Sequence, residues 1–197
     1  MFERRSALAR FSLAGTVRGE SVRGGARVRL SEVRGWHLAQ LTAFGAGDEP
    51  FRQLLARNFG AAPPVDLYRG VTGADSRLIR LTRHQYWWIA GDDGALGRFM
   101  QELPPAAGAV TRLSAGRVRL CVDGPAARDL LARGIAIDLH PAAFAVGQSA
   151  QTGLHHTGIL LERVADESYE LFVPRSYAAA IWEWLVDAAL PYGADHS

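Results

Sequence analysis

The sequence predicts an α+β fold of two pseudo-symmetric strand–helix–strand–strand–helix halves in one domain, preceded by a flexible N-terminal arm. Three observations carry this. Period-two and period-3.6 apolar patterns alternate from Arg34 onward, with crossovers too short for a doubly wound parallel sheet. Three collinear matches recur: Leu-Ser-x-x-Arg at 30–34 and 113–117, Leu-Leu-Ala-Arg at 54–57 and 130–133, and a Tyr86–Phe99 block that aligns with Tyr169–Trp182. Finally, residues 1–34 carry eight arginines against three glutamates, a net of +5, with several glycines and few large apolar residues. The arm is assigned residues 1–27 and the body 28–197, its halves about 28–110 and 111–193.

In chain order, Trp36–Phe44 alternates as a strand. Asp48–Phe59 opens on a cap-like Asp48 and an early Pro50, places Phe51, Leu54, Leu55 and Phe59 at helical spacing, and stops at Gly60. Ala61–Asp66, with its Pro63-Pro64 pair, is loop. Arg77–Leu81 and Tyr86–Ala90 are paired strands, and Ala95–Leu103 is a helix closed by Pro104-Pro105. Arg117–Val122 alternates as a strand; Asp123-Gly124-Pro125 then opens a helix running through Ala132 to Gly134. Ala150–Leu154, Ile159–Val164 and Tyr169–Val173 are strands, and Ser176–Leu190 is the closing helix.

A chain of 197 residues buries enough surface to fold without a staple, and 48% apolar with 21% charged residues is ordinary for a globular protein. No run approaches the roughly 18 apolar residues of a membrane span, and the opening MFERRSALARFSLAG has no apolar core of a signal peptide, so a cytoplasmic protein without membrane contact is expected. The lone Cys121 excludes internal disulfides and multi-cysteine metal sites. All 22 basic residues are arginine, which excludes Schiff-base lysine chemistry and a P-loop lysine. Residues 35–197 carry fourteen arginines against seventeen acids, so the body is slightly acidic. The arm, with Arg4, Arg5 and Arg10, reads best as a segment that orders on an acidic protein partner, with a solvated tail as the plain alternative. Nucleic acid comes third, because the aromatics are not interleaved with the arginines.

No catalytic or metal site emerges. Gly45-Ala46-Gly47 resembles a dinucleotide turn, but Asp48 and Glu49 at the following helix start would repel a pyrophosphate. His155-His156 in a strand would face opposite sides and could not chelate one metal, and His140 in its Asp-Leu-His-Pro turn reads as a cap. Cys121 shares its strand face with Arg117 and Arg119, which would lower a thiol pKa, although a semi-buried structural cysteine is the more common outcome. In the closing helix, Tyr177, Ile181, Trp184, Leu185 and Ala188 form one apolar stripe, while Ala178, Trp182, Val186 and Ala189 form a second. One stripe suffices for a surface helix, so Tyr177, Trp182 and Trp184 are candidates for a partner interface; burial of both faces inside the domain is the alternative.

The run LCVDGPAARDLLARGIAIDLHPAAFAVGQSAQTGL (120–154), followed by YELFVPRSYAAAIWEWLVDAALPYG (169–193), resembles the gamma-subunit family of heterotetrameric sarcosine oxidases. WHLAQLTAF and LTRHQYWWIAG fit the same family, and the likeness covers roughly residues 28–193. Thr82-Arg83-His84-Gln85 departs from the family's Gly-Pro-Asp turn. The resemblance implies a fold like the folate-binding domain of the glycine-cleavage T-protein, and a non-catalytic subunit with no cofactor of its own. The implied partners are alpha, beta and delta subunits carrying FAD and FMN (beta), NAD and tetrahydrofolate (alpha) and zinc (delta). Such a complex oxidatively demethylates sarcosine, passing the one-carbon unit to tetrahydrofolate and electrons to oxygen. The alternative is a folate-binding module, in which Glu170 matches the acid that contacts the pterin in T-protein-like domains. A free-standing binding domain of the same fold is a third reading.

Overall fold

Helix α1 (Asp48–Phe59) shows how the local signals translate into structure. Phe51, Leu54, Leu55 and Phe59 all turn inward and are buried, and Asp48 and Glu49 occupy the first turn, where the helix dipole favours negative charge. Gly60 takes φ +84°, and its N–H bonds to the Ala56 carbonyl at 2.9 Å, the left-handed ending that glycine adopts without strain. The computed structural model describes residues 6–9, 11, 15–17, 27–45 and 48–196.

The remaining elements are β1 (Gly15–Val17), β2 (Val28–Val33), β3 (His37–Ala43), β4 (Gly70–Thr72), β5 (Ser76–Arg80), β6 (Gln85–Ala90), α2 (Gly94–Glu102), β7 (Gly108–Arg112), β8 (Arg117–Asp123), α3 (Ala127–Ala132), β9 (Ser149–Leu154), β10 (Thr157–Ala165), β11 (Ser168–Pro174), α4 (Ala178–Ala189) and β12 (Ala194–His196). They form two compact units, Gly35–Ser114 and Met1–Arg34 with Ala115–Ser197. The first holds a five-stranded sheet in the order β4-β5-β6-β3-β7, antiparallel throughout. The second holds a seven-stranded sheet, β1-β12-β2-β8-β11-β10-β9, in which only β12 and β2 run parallel.

The internal repeat is visible strand for strand. β3-α1-β4-β5-β6-α2 corresponds to β8-α3-β9-β10-β11-α4, and Tyr86 opposite Leu41 has its counterpart in Tyr169 opposite Val122. Each half also has a leading strand, and these are exchanged. β2 precedes the first half in sequence yet pairs with β8, while β7 precedes the second half and pairs with β3. The sequence halves and the spatial units therefore differ by one strand each way. β1, β2, β4, β7 and β12 have no strand signal in the sequence: β1, β4 and β12 are three residues long, and β7 and β2 carry charged or small residues that break the alternation.

In the five-stranded unit, Ala39, Leu41, Tyr86 and Trp88 face Phe51, Leu55 and Phe99 of the helices; Phe51 and Phe99 meet edge to face at 5.5 Å. In the seven-stranded unit, Leu120, Val122, Tyr169, Leu171 and Val173 pack on Leu130 and Leu131 of α3 and on Ile181, Trp182 and Leu185 of α4. Each fully buried Leu or Phe contributes about 1.5–3 kcal/mol by leaving water. Of the N-terminal arm, the described residues 6–9, 11 and 15–17 make contacts with this unit. Leu8 is fully buried, Phe11 packs beside it, Ser6 Oγ donates to Glu32, and β1 adds an edge strand to β12.

Candidate functional site

Strand alternation gives the seven-stranded sheet one apolar face toward α3 and α4 and a second, mixed face on which buried Leu160 and Phe172 alternate with charged residues. One lateral row of this second face runs Ser31, Cys121, Glu170, Glu162, Ser149 across β2, β8, β11, β10 and β9. Glu170 and Glu162 stand directly opposite each other and are only 6% and 2% exposed. Arg119, two residues along β8 from Cys121, reaches diagonally to Glu170 with a fork of two bonds, Nε to Oε2 at 2.9 Å and Nη2 to Oε1 at 2.5 Å. Glu170 is thus not an exposed strand carboxylate. Each of its oxygens accepts one bond from Arg119, so a pterin's aminopyrimidinone edge would have to share the carboxylate with a bidentate guanidinium.

Cys121 is a half-buried thiol on this row. Burial, then the nearby Asp123 carboxylate, pushes its thiol up to about 12, and its sulfur lies 3.7 Å from Ser168 Oγ. This agrees with a semi-buried structural cysteine; Arg119, one of the two arginines on its strand face, is paired with Glu170. Among the described residues, no three His, Cys, Asp or Glu side chains gather as a metal site.

The histidines correct one expectation. His155 and His156 are not within a strand but form the two-residue tip between β9 and β10, with φ of +45° and +67°. This is the turn for which Asn and Gly are preferred, and it sets the two rings side by side, 5.6 Å apart. His140 acts as the cap expected of it: its Nδ1 accepts the Ala142 N–H at 3.2 Å.

Of the interface candidates, Trp182 is corrected. At 2% exposure it belongs to its own unit's core and offers a partner no surface. Trp184 is half-buried and stacks on His155 at 6.0 Å, so α4 is covered on both of its apolar stripes within the unit. Tyr177 is 54% exposed. Arg4, Arg5 and Arg10 lie outside the described residues, as do Ala46 and Gly47.

The sequence reading passed over an open groove of about 360 Å³ in the five-stranded unit, between α1 and the Ala62–Val65 loop. Arg52, paired with Glu49, and Arg80 line it. Arg80 donates to the carbonyls of Val65, Thr82 and Arg83 and lies 5.8 Å above the Tyr86 ring. The signal available in sequence was Pro63-Pro64-Val65, read only as loop.

Comparison with known proteins places this arrangement. A family model described as sarcosine oxidase, gamma subunit family, matches residues 46–191. The chain belongs to that family. Curated gamma subunits of sarcosine oxidase from Corynebacterium sp. (strain U-96) and Arthrobacter sp. are 34% and 32% identical over 87 and 101 residues, 44% and 51% of this chain. These matches span 42% and 50% of the relatives, so the chain spans about half the length of the curated relatives it matches. As a structure, this gamma-family chain superposes on a chain of the heterotetrameric sarcosine oxidase from Corynebacterium sp. U-96, solved with pyrrole 2-carboxylate, with a TM-score of 0.83, 27% identity and 96% of both chains covered. It also shares the fold of the glycine cleavage aminomethyltransferase T from Bartonella henselae, with a TM-score of 0.62 at 16% identity, covering 82% of this chain and 46% of that one.

Proposed function

We propose that this chain is the non-catalytic gamma-type subunit of a sarcosine oxidase-type flavoenzyme complex and acts in its assembly and stabilisation. The observation that carries the reading is the end-to-end superposition on a chain of a heterotetrameric enzyme, 96% of each chain being matched. On this reading the partners are alpha, beta and delta subunits. FAD and FMN sit on beta, NAD and tetrahydrofolate on alpha, and zinc on delta. The assembled reaction is oxidative demethylation of sarcosine or a related N-methyl amino acid, with the one-carbon unit passed to tetrahydrofolate and hydrogen peroxide formed. The folate-binding alternative would have the pterin share the Glu170 carboxylate with Arg119.

The test is co-expression of the tagged chain with the genes beside its own. A stable complex whose flavin absorbance lies in a larger partner is the expected result. A monodisperse solitary protein that leaves its neighbours behind would overturn the proposal.

A further inference from the structure

The loop that walls the groove in the five-stranded unit combines features that its own packing does not require. Val65 and Leu67 are 80% and 51% exposed, and Val65 is the most exposed large apolar side chain among the described residues. Between Leu67 and Arg69, Tyr68 holds φ +56°, a left-handed conformation that an aromatic residue adopts only under strain. The loop is nevertheless fixed. Arg80 donates through Nη1 to the Val65 carbonyl, and the Arg80 carbonyl accepts the Tyr68 N–H at 2.6 Å, so both ends of the exposed stretch are tied to one residue of β5. Two apolar side chains are therefore presented in a preorganised form, with little ordering entropy left to lose on contact.

Charge defines what they would meet. The Arg80 guanidinium bonds only to carbonyls, and among the described residues no carboxylate pairs with it. Arg52 on the opposite wall is balanced by Glu49, leaving Arg80 as the uncompensated charge lining the groove. Pro63 and Pro64 lack N–H groups, so that wall has no donors to offer at those two positions.

We infer that the Val65–Leu67 loop and the Arg80 groove form a docking surface for a partner-subunit segment in which an acidic side chain is flanked by apolar ones. The acid meets Arg80, and its neighbours cover Val65 and Leu67. This inference rests on the subunit reading above.

The test uses the full chain co-expressed with its genomic neighbours, comparing unmodified protein with Val65→Asp/Leu67→Asp and Val65→Lys/Leu67→Lys. Both positions are exposed, so the fold is unaffected, and circular dichroism checks this. The double aspartate is expected to weaken the complex at least tenfold, by repulsion as well as lost apolar contact, and the double lysine distinctly less. If the unmodified chain assembles and the double aspartate assembles equally well, this surface is not the docking site while the subunit reading stands. Equal losses for aspartate and lysine would overturn the acidic character of the partner. If the chain alone is a dimer that the double aspartate makes monomeric, the occupant is a second copy and the inference falls. Failure of the unmodified chain to assemble with any neighbour overturns the subunit reading and this inference together.

Discussion

Replacing Glu170 by Gln removes one charge from a buried fork. Arg119 and Glu170 are 17% and 8% exposed at their side chains and share two bonds, so the variant leaves a guanidinium largely out of water with one acceptor where it had two. Breaking such a pair from one side costs about 3–5 kcal/mol. Glu162 stands directly opposite Glu170 and keeps one carboxylate on the row, which puts the expectation at the low end, about 3 kcal/mol. With a urea slope of about 2 kcal/mol/M, the unfolding midpoint falls by roughly 1.5 M. The decisive member of the series is the double variant Arg119→Met/Glu170→Leu, which removes both charges and restores apolar packing; it should return to within about 1 kcal/mol of the unmodified protein. Urea unfolding followed by tryptophan fluorescence reads all variants, and the cycle completed with the single variants Arg119→Met and Glu170→Leu gives a coupling of about 2 kcal/mol or more. A Glu170→Gln cost below about 1 kcal/mol, with single effects that simply add, would show the pair to be solvent-screened and would return Glu170 to the pool of acids able to bind a ligand.

Four further expectations follow from the same coordinates. Arg163, 4% exposed, donates to the Phe144 and Asp166 carbonyls at 2.9 and 2.8 Å; Arg163→Met strands both acceptors and should cost roughly 3 kcal/mol in the same urea assay, and a loss under 1 kcal/mol would refute the role. Gly124 has φ +110° and an added Cβ would lie 2.5 Å from the Arg27 carbonyl oxygen, so Gly124→Ala should lower stability by about 2 kcal/mol or more, read by calorimetry. A raised thiol pKa means less thiolate: with Cys121 at about 12 rather than the usual 8.5 or so, iodoacetamide at pH 8 should label the native protein roughly a thousandfold more slowly than the urea-unfolded chain, and comparable rates would disprove the burial. His156→Gly relieves a left-handed histidine in a two-residue turn and should raise stability by about 0.5–1 kcal/mol; destabilisation would mean that the His156 ring makes a contact of its own.

The helices and long strands were legible because their burial is one-sided and local. Phe51, Leu54, Leu55 and Phe59 mark α1 to the residue, and Tyr86 and Tyr169 occupy matching places in two sheets as their spacing implied. What stayed hidden is non-local. Nothing in Val28–Val33 states that it will pair with Cys121 and Leu120 rather than with the strand that follows it, because period two fixes which face a side chain takes and not which neighbour the backbone finds. The same limit governed the site. Arg119 and Glu170 are 51 residues apart, and only the antiparallel register of β8 with β11 turns a possible activating arginine and a possible pterin acid into one closed pair. The two-stripe closing helix was a true signal of double burial, yet a hydrophobic pattern reports that a face is covered and is silent on what covers it; here α3, the sheet and the His155 tip cover it within the unit. The exposed loop at Val65–Leu67 is the converse case. Its side chains are apolar in a position the fold leaves open, and its backbone is held in place by Arg80 at both ends. In a family whose structural relative is one chain of a heterotetramer, apolar surface that is rigid and uncovered is where the missing contact is most economically sought.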